Sequence, residues 1–217
     1  MSTPQLVDNV YMTSSTSATP ADSTSGRIVA AGIELLESEG IDGVGLRAIA
    51  RRAGVSHGAP RRYFPTHRSL LASMARSGLE DLAGELGPIL GSDCDPRTRL
   101  FDAASAYVDF AVRRRAMFAL MFRHDILDGA GGDLRSLSVP LLTELRRVLD
   151  AAIDTAPSGK REAPMSEGRR WRRAVTLWTS IHGIAVLAST RALDPVADII
   201  DLDVRELLVG VVEAAIG

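Results

Sequence analysis

Gly54 lies between two short helix-forming stretches, Leu46–Ala53 and Ser56–Tyr63, and few folds admit that arrangement. A chain that turns this sharply between helices needs a left-handed backbone position, which glycine adopts without steric cost. Ile49 and Val55 are apolar where the two helices must meet, and Ala50 is small at their closest approach. Ser56 is placed to cap the second helix, Pro65 to stop it, and Thr66 to cap a further helix running toward Leu86. Two short helices on a tight turn make a helix-turn-helix.

The remainder reads as all-α, with no strand alternation. Residues 1–25 are rich in Ser, Thr, Pro and Ala and read as a disordered tail. Thr24 or Ser25 can cap a first helix whose apolar stripe includes Val29, Ile33 and Leu36, with Gly40 just past its end. A Gly/Asp/Pro-rich break covers Gly87 to Pro96. Beyond it the pattern predicts helices over Pro96–Arg115, Ala116–Arg123, Leu134–Ile153 (kinked or delayed by Pro140), Glu167–Thr190 and Val204–Ile216. Gly129–Gly132 interrupts, and Thr155–Ser166 is loop-like. The expected organisation is a tail at 1–25, a three-helix helix-turn-helix domain at 26–71, and a larger helical domain at 72–217.

Formal net charge is −2, which alone argues against a nucleic-acid partner. The distribution reverses that inference. Between Gly43 and Leu79 the charges are Arg47, Arg51, Arg52, Arg61, Arg62, Arg68 and Arg76, with no Asp or Glu. A basic block on a mildly acidic body suits one anionic partner at one end. On the second helix, His57, Gly58 and Ala59 can enter a major groove, with Arg61 and Arg62 one turn on. The Tyr63 hydroxyl and the amides of Thr66 and His67 can meet phosphate.

Gly26 to Leu71 resembles the DNA-binding domain of the tetracycline-repressor (TetR) family. The resemblance is carried by RIVAAGIELLESEG and GLRAIARRAGVSHGAPRRYFPTHRSLL, above all Ile-Ala-x-x-Ala-Gly-Val-Ser followed by Tyr-Phe-Pro. A weaker resemblance of AYVDFAVRRRAMFALMFRHD and LWTSIHGIAVL is to the effector domain of a TetR subgroup with a Trp-x-x-x-His-Gly pattern. The resemblance implies DNA contacts at Arg47, Ser56, His57, Arg61, Arg62, Tyr63 and His67. Three positions depart from the family's pattern. Gly45 replaces a capping Thr or Ser, so only its amide could touch phosphate; Arg61 replaces a frequent tyrosine, and His67 a frequent phosphate-contacting lysine.

The resemblance also implies that the last two long helices form a four-helix bundle with a second subunit. Leu207, Val211 and Ala214, with Leu208, Val212 and Ala215 alongside, make a stripe wide enough for this. Gly183, Ala185 and Ala188 are small enough for close helix contact. Phe110, Met117, Phe118, Met121 and Phe122, with Trp178 and His182 opposite, are the candidate lining of an apolar ligand pocket, although such clusters also make plain core.

The expected function is a homodimeric, ligand-responsive regulator, a repressor released from a palindromic double-stranded DNA operator by a small, largely apolar effector. The alternative is a TetR-fold small-molecule-binding or scaffold protein without operator-specific binding. No metal spacing, phosphate-binding glycine loop or nucleophile motif points to an enzyme, and no metal or cofactor is expected. The absence of an apolar span or signal layout, with Cys94 as the sole cysteine, suits a cytoplasmic protein off the membrane.

Overall fold

The computed structural model describes residues 23–155 and 165–217, so most of the expected tail and most of the 155–166 loop lie outside the described residues. All regular elements among them are helical: α1 Thr24–Glu39, α2 Leu46–Arg52, α3 Ala59–Tyr63, α4 His67–Leu90, α5 Pro96–Arg113 and α6 Arg115–Met121, then α7 His124–Leu127, α8 Arg135–Thr155, α9 Glu167–Ser189, α10 Asp194–Ile200 and α11 Val204–Ile216. A single 3₁₀ turn, Ile41–Gly43, joins α1 to α2.

The N-terminal helices form where the local chemistry directs. Ser23, rather than Thr24 or Ser25, caps α1 by accepting the Gly26 amide at 3.0 Å. The buried stripe of α1 is Ile28, Ala31, Gly32, Leu35 and Leu36, one step round from the expected one, which leaves Val29 and Ile33 half-buried. Thr66 and Ser69 close a reciprocal capping box at the start of α4, each side chain meeting the other's backbone N–H.

The 24-residue α4 is about 36 Å long and joins the two ends of the molecule. It runs past the expected stop at Leu86 and carries Pro88 in its final turn. Only one ladder bond is lost so near the end, and buried Leu86 and Leu90 anchor the helix on both sides of the proline. α6 lies close on α4 because Gly78 has no side chain: a Cβ there would stand 2.5 Å from Met117 Sδ. α8 likewise begins before Pro140, which removes one amide bond from its first turns.

The short α7 and α10 leave no periodic signal in the sequence, since helices of one or two turns are fixed by packing rather than by pattern. α5, α8, α9 and α11 pack together beyond α4 and share a continuous apolar core with it. Arg114 ties the two ends together. Its guanidinium donates to Glu37 of α1 and Asp81 of α4, and lies 5.6 Å from the centre of the Phe110 ring.

Candidate functional site

At the N-terminal end, Gly54 takes φ +64°, and the following Val55 amide donates to Ala50 O at 3.0 Å. This tight return seats α3 across α2, with Ile49, Ala50, Pro60 and Phe64 buried between the elements. The opposite surface carries Arg47, Ser56, His57, Arg61, Arg62, Tyr63 and His67, all exposed. Ser56 does not cap α3 with its side chain. Its carbonyl accepts the Ala59 amide at 2.9 Å, and the N-cap position falls to Gly58, two residues later than expected, with the helix starting at Ala59–Pro60. Proline is pre-set for a first helical turn and has no N–H to leave orphaned there. Ser56 and His57 therefore precede the helix instead of forming its first turn.

The arginines of the acid-free block separate into two groups. Arg47, Arg51 and Arg61 have no ion pair among the described residues, and Arg62 lies 5.9 Å from the centre of the Tyr63 ring. Arg51, not among the expected contact residues, is exposed on the same short helix as Arg47. Arg52, by contrast, pairs with Glu34 at 3.0 Å. Arg68 and Arg76 leave the basic surface and clamp the segment between α7 and α8. Arg68 Nε donates to Ile126 O at 2.7 Å and Nη2 to Asp128 O at 3.1 Å, which caps the carbonyl end of α7. Arg76 Nη1 donates to Gly132 O at 3.3 Å, while its Nε pairs with Glu80 at 3.0 Å.

Two expected phosphate donors are already occupied. The Gly45 amide donates to Gly43 O at 2.8 Å, and the Thr66 amide to Ser69 Oγ at 3.2 Å. The His67 ring is held 2.6 Å from Val44 O through Nε2, which therefore carries the proton. This fixes the ring against the start of α2.

The larger domain holds a cavity of about 210 Å³ between α4, α5, α8 and α9, open to solvent beside the exposed Ser138 and Val139. Leu79, Leu82, Leu86 and Leu90 form its α4 wall, Tyr107 its α5 wall, Leu142 and Leu145 its α8 wall, and Trp178 faces them from α9. Of the seven candidate lining residues, Phe122 and Trp178 reach it. His182 touches it indirectly, with Nδ1 2.9 Å from the Tyr107 hydroxyl and its ring stacked on Trp178 at 5.5 Å. Phe110, Met117, Phe118 and Met121 are instead almost wholly buried in the core under α6. Burial pushes the Tyr107 phenol above its ordinary range and the His182 imidazole below its own, so both stay neutral near pH 7.

A third surface runs along α9 and α11. Val175, Val186, Leu187 and Val209 are exposed, as are the small residues Gly183, Gly210 and Ala214 on the same two helices. Other members of the expected stripe turn inward: Ala185, Leu208 and Val212 are buried within the protomer, and Leu207 and Val211 are partly buried. Among the described residues no helix is long and apolar enough to cross a membrane.

Comparison with known proteins matches residues 28–74 to the family model for bacterial regulatory proteins of the tetR family, and residues 100–211 to that of the tetracyclin repressor-like C-terminal domain. The HTH-type transcriptional regulator Rv2250c of Mycobacterium tuberculosis is 43% identical over 70 residues, which are 32% of this chain. The match spans only 36% of that protein's length. Among solved structures, a protein of unknown function from Rhodococcus sp. RHA1 is similar with TM-score 0.70 and 29% identity, covering 89% of this chain and 94% of that one. BioQ, crystallised with its natural double-stranded DNA operator, shares the fold with TM-score 0.61 at 18% identity, covering 90% of this chain and 98% of its own.

Proposed function

Because the chain belongs to the TetR family of bacterial regulators, we propose that it is a homodimeric repressor which holds a near-palindromic operator until an effector enters the α4–α5–α8–α9 cavity. The observation that carries this reading is the split among the arginines. Arg47, Arg51, Arg61 and Arg62 are exposed on the helix-turn-helix surface with no carboxylate partner among the described residues, whereas Arg68 and Arg76 tie α4 to the segment that leads into α8. In this reading Arg61 and Arg62 reach base edges or phosphates, with Arg47, Ser56, His57, Tyr63 and His67 around them. The α9–α11 face pairs two copies so that the recognition helices lie about 34–36 Å apart, one turn of duplex.

The test is fluorescence anisotropy with DNA from just upstream of the protein's own coding region, against a scrambled duplex, over a salt series. Strong preference for the upstream DNA with a steep salt slope is the expected result. Equal weak binding to every duplex, repeated in a genome-wide operator selection, would favour the alternative of a small-molecule-binding protein without operator recognition.

The clamp supplies a route from cavity to DNA. Ser138 and Val139 of α8 edge the cavity a few residues beyond the Gly132 carbonyl held by Arg76. An effector that displaces this end of α8 pulls the 125–136 segment off α4. Arg76→Ala is therefore expected to mimic the effector. Amides of residues 124–134 should exchange faster, and operator affinity should fall roughly tenfold, within the ~1–3 kcal/mol typical of coupling between sites. Faster exchange with unchanged affinity would remove the clamp from the route.

A further inference from the structure

We propose that the cavity takes an electrically neutral ligand, a compact hydrocarbon body bearing one hydroxyl or carbonyl group directed at Tyr107. The proposal rests on the reading of this cavity as the effector site and narrows the class of molecule that fills it.

The lining carries no Asp, Glu, Lys, Arg or His. Arginines on the surrounding helices are largely spent on other partners. Arg99 donates through Nη1 to the carbonyls of Leu90 and Ser92 at 3.1 Å, Arg113 pairs with Glu85, Arg114 with Glu37 and Asp81, and Arg146 with Asp150. The buried Nε of Arg99 and of Arg146 has no partner among the described residues, and neither residue is among those lining the cavity. A carboxylate carried inside would lose its hydration and gain no countercharge; an ammonium would fare no better. Arg135 at the start of α8 is exposed, one turn before Ser138, and has no ion pair among the described residues. An acid anchored there would keep its charge in water and leave the polar atoms at the other wall unmet.

Those polar atoms suit a neutral group of either hydrogen-bonding sense. In one tautomer His182 Nδ1 accepts the Tyr107 proton, and the phenol oxygen can accept from a ligand hydroxyl. In the other, Nδ1–H donates to Tyr107, whose own proton is freed for a ligand carbonyl. The Trp178 indole N–H, a donor only, is already directed at the Tyr107 oxygen, so the phenol is the group left to meet the ligand. The size accounts for the compact body, because about 210 Å³ falls below the ~300–1,000 Å³ of drug-sized pockets.

The experiment titrates full-length protein with 1-octanol, octanoate and octylammonium, matched in chain length, by calorimetry and by the fluorescence of Trp178 in a Trp171→Phe background. Octanol is expected to bind. At about pH 7.5 octanoate should bind roughly 100- to 1,000-fold more weakly, the penalty for protonating a carboxyl about three units above its ordinary pKa. Octylammonium should be weaker as well. Tyr107→Phe, which keeps the ring, should weaken octanol by roughly three- to tenfold, the measure of one hydrogen bond. Octanoate binding as tightly as octanol, or more so, overturns the neutral class while leaving an effector site in place; loss of that binding in Arg135→Ala would locate the acid at the rim. No binding by any chain from hexyl to dodecyl in any of the three forms overturns the effector site itself, and the proposal with it.

Discussion

Arg61→Ala/Arg62→Ala is expected to abolish operator recognition while leaving the fold intact. Both side chains are exposed on α3 and neither has a carboxylate partner among the described residues, so their removal breaks no ion pair. Surface changes of this kind move stability by about 0.5 kcal/mol or less, and the melting temperature should barely respond. DNA binding should respond strongly, because a dimer loses four guanidinium groups at once. With each good base contact contributing ~1–3 kcal/mol, affinity for the operator should fall by roughly 1,000-fold or more. The salt series also assigns the contacts. Loss of four phosphate contacts would flatten the slope of log affinity against log salt by about 3–4. Loss of base contacts would instead leave the slope nearly unchanged and bring specific and scrambled DNA together. Near-wild-type affinity in the double variant would sink the assignment of α3 as the reading helix.

Arg52→Ala serves as the internal comparison. Its charge is already met by Glu34, and an exposed pair of this kind contributes ~0–1 kcal/mol, so both stability and operator affinity should shift little. Arginines adjacent in sequence to the reading surface are thus expected to differ by orders of magnitude in effect, according to what each touches.

That difference marks where sequence reading stops. Gly54, Pro65 and Thr66 are legible because each acts on the backbone within a residue or two: a positive φ, a missing N–H, a capping oxygen. The helix-turn-helix followed from them. The start of α3 is ambiguous in the sequence because Ser56 and Pro60 both signal a helix N-terminus, and in the structure the proline's position prevails. Arg61 and Arg76 are chemically identical, and only tertiary structure shows that one is free and the other holds Gly132. The cavity was less legible still. Leu79 and Leu82 on its wall and Leu35 in the solid core are equally apolar, so hydropathy cannot separate a lined space from a filled one. The Phe/Met cluster drew attention by its residue types, yet space remains chiefly beside the leucines of α4 and α8. Trp178 and His182 lie in the segment that resembles a TetR subgroup, whereas Tyr107, which joins His182 to the cavity, carries no distinguishing signal in the sequence.

The α9–α11 face allows an equally large effect by a different route. Leu187→Asp combined with Val209→Asp is expected to convert the proposed dimer to monomers and to remove high-affinity operator binding with it. In the single protomer these side chains are 43% and 46% exposed, so two carboxylates there remain hydrated and helical content should be unchanged. In a dimer built on this face the same carboxylates are desolvated beside their symmetry mates, and each uncompensated ion costs several kcal/mol. Dimer dissociation should therefore strengthen by roughly 1,000-fold or more, visible by light scattering as a halved mass. A monomer offers one reading helix and loses the simultaneous engagement of two half-sites, which multiplies affinity by an effective-concentration factor of ~10²–10⁴. The outcome is distinguishable from that of the arginine variant. At high protein concentration two aspartate monomers should still fill the two half-sites independently, with sequence preference retained, whereas the arginine variant should stay dimeric and bind neither. A double-aspartate protein that remains a dimer with full operator affinity would place the subunit interface elsewhere, and the spacing of the reading helices would have to be sought on another face.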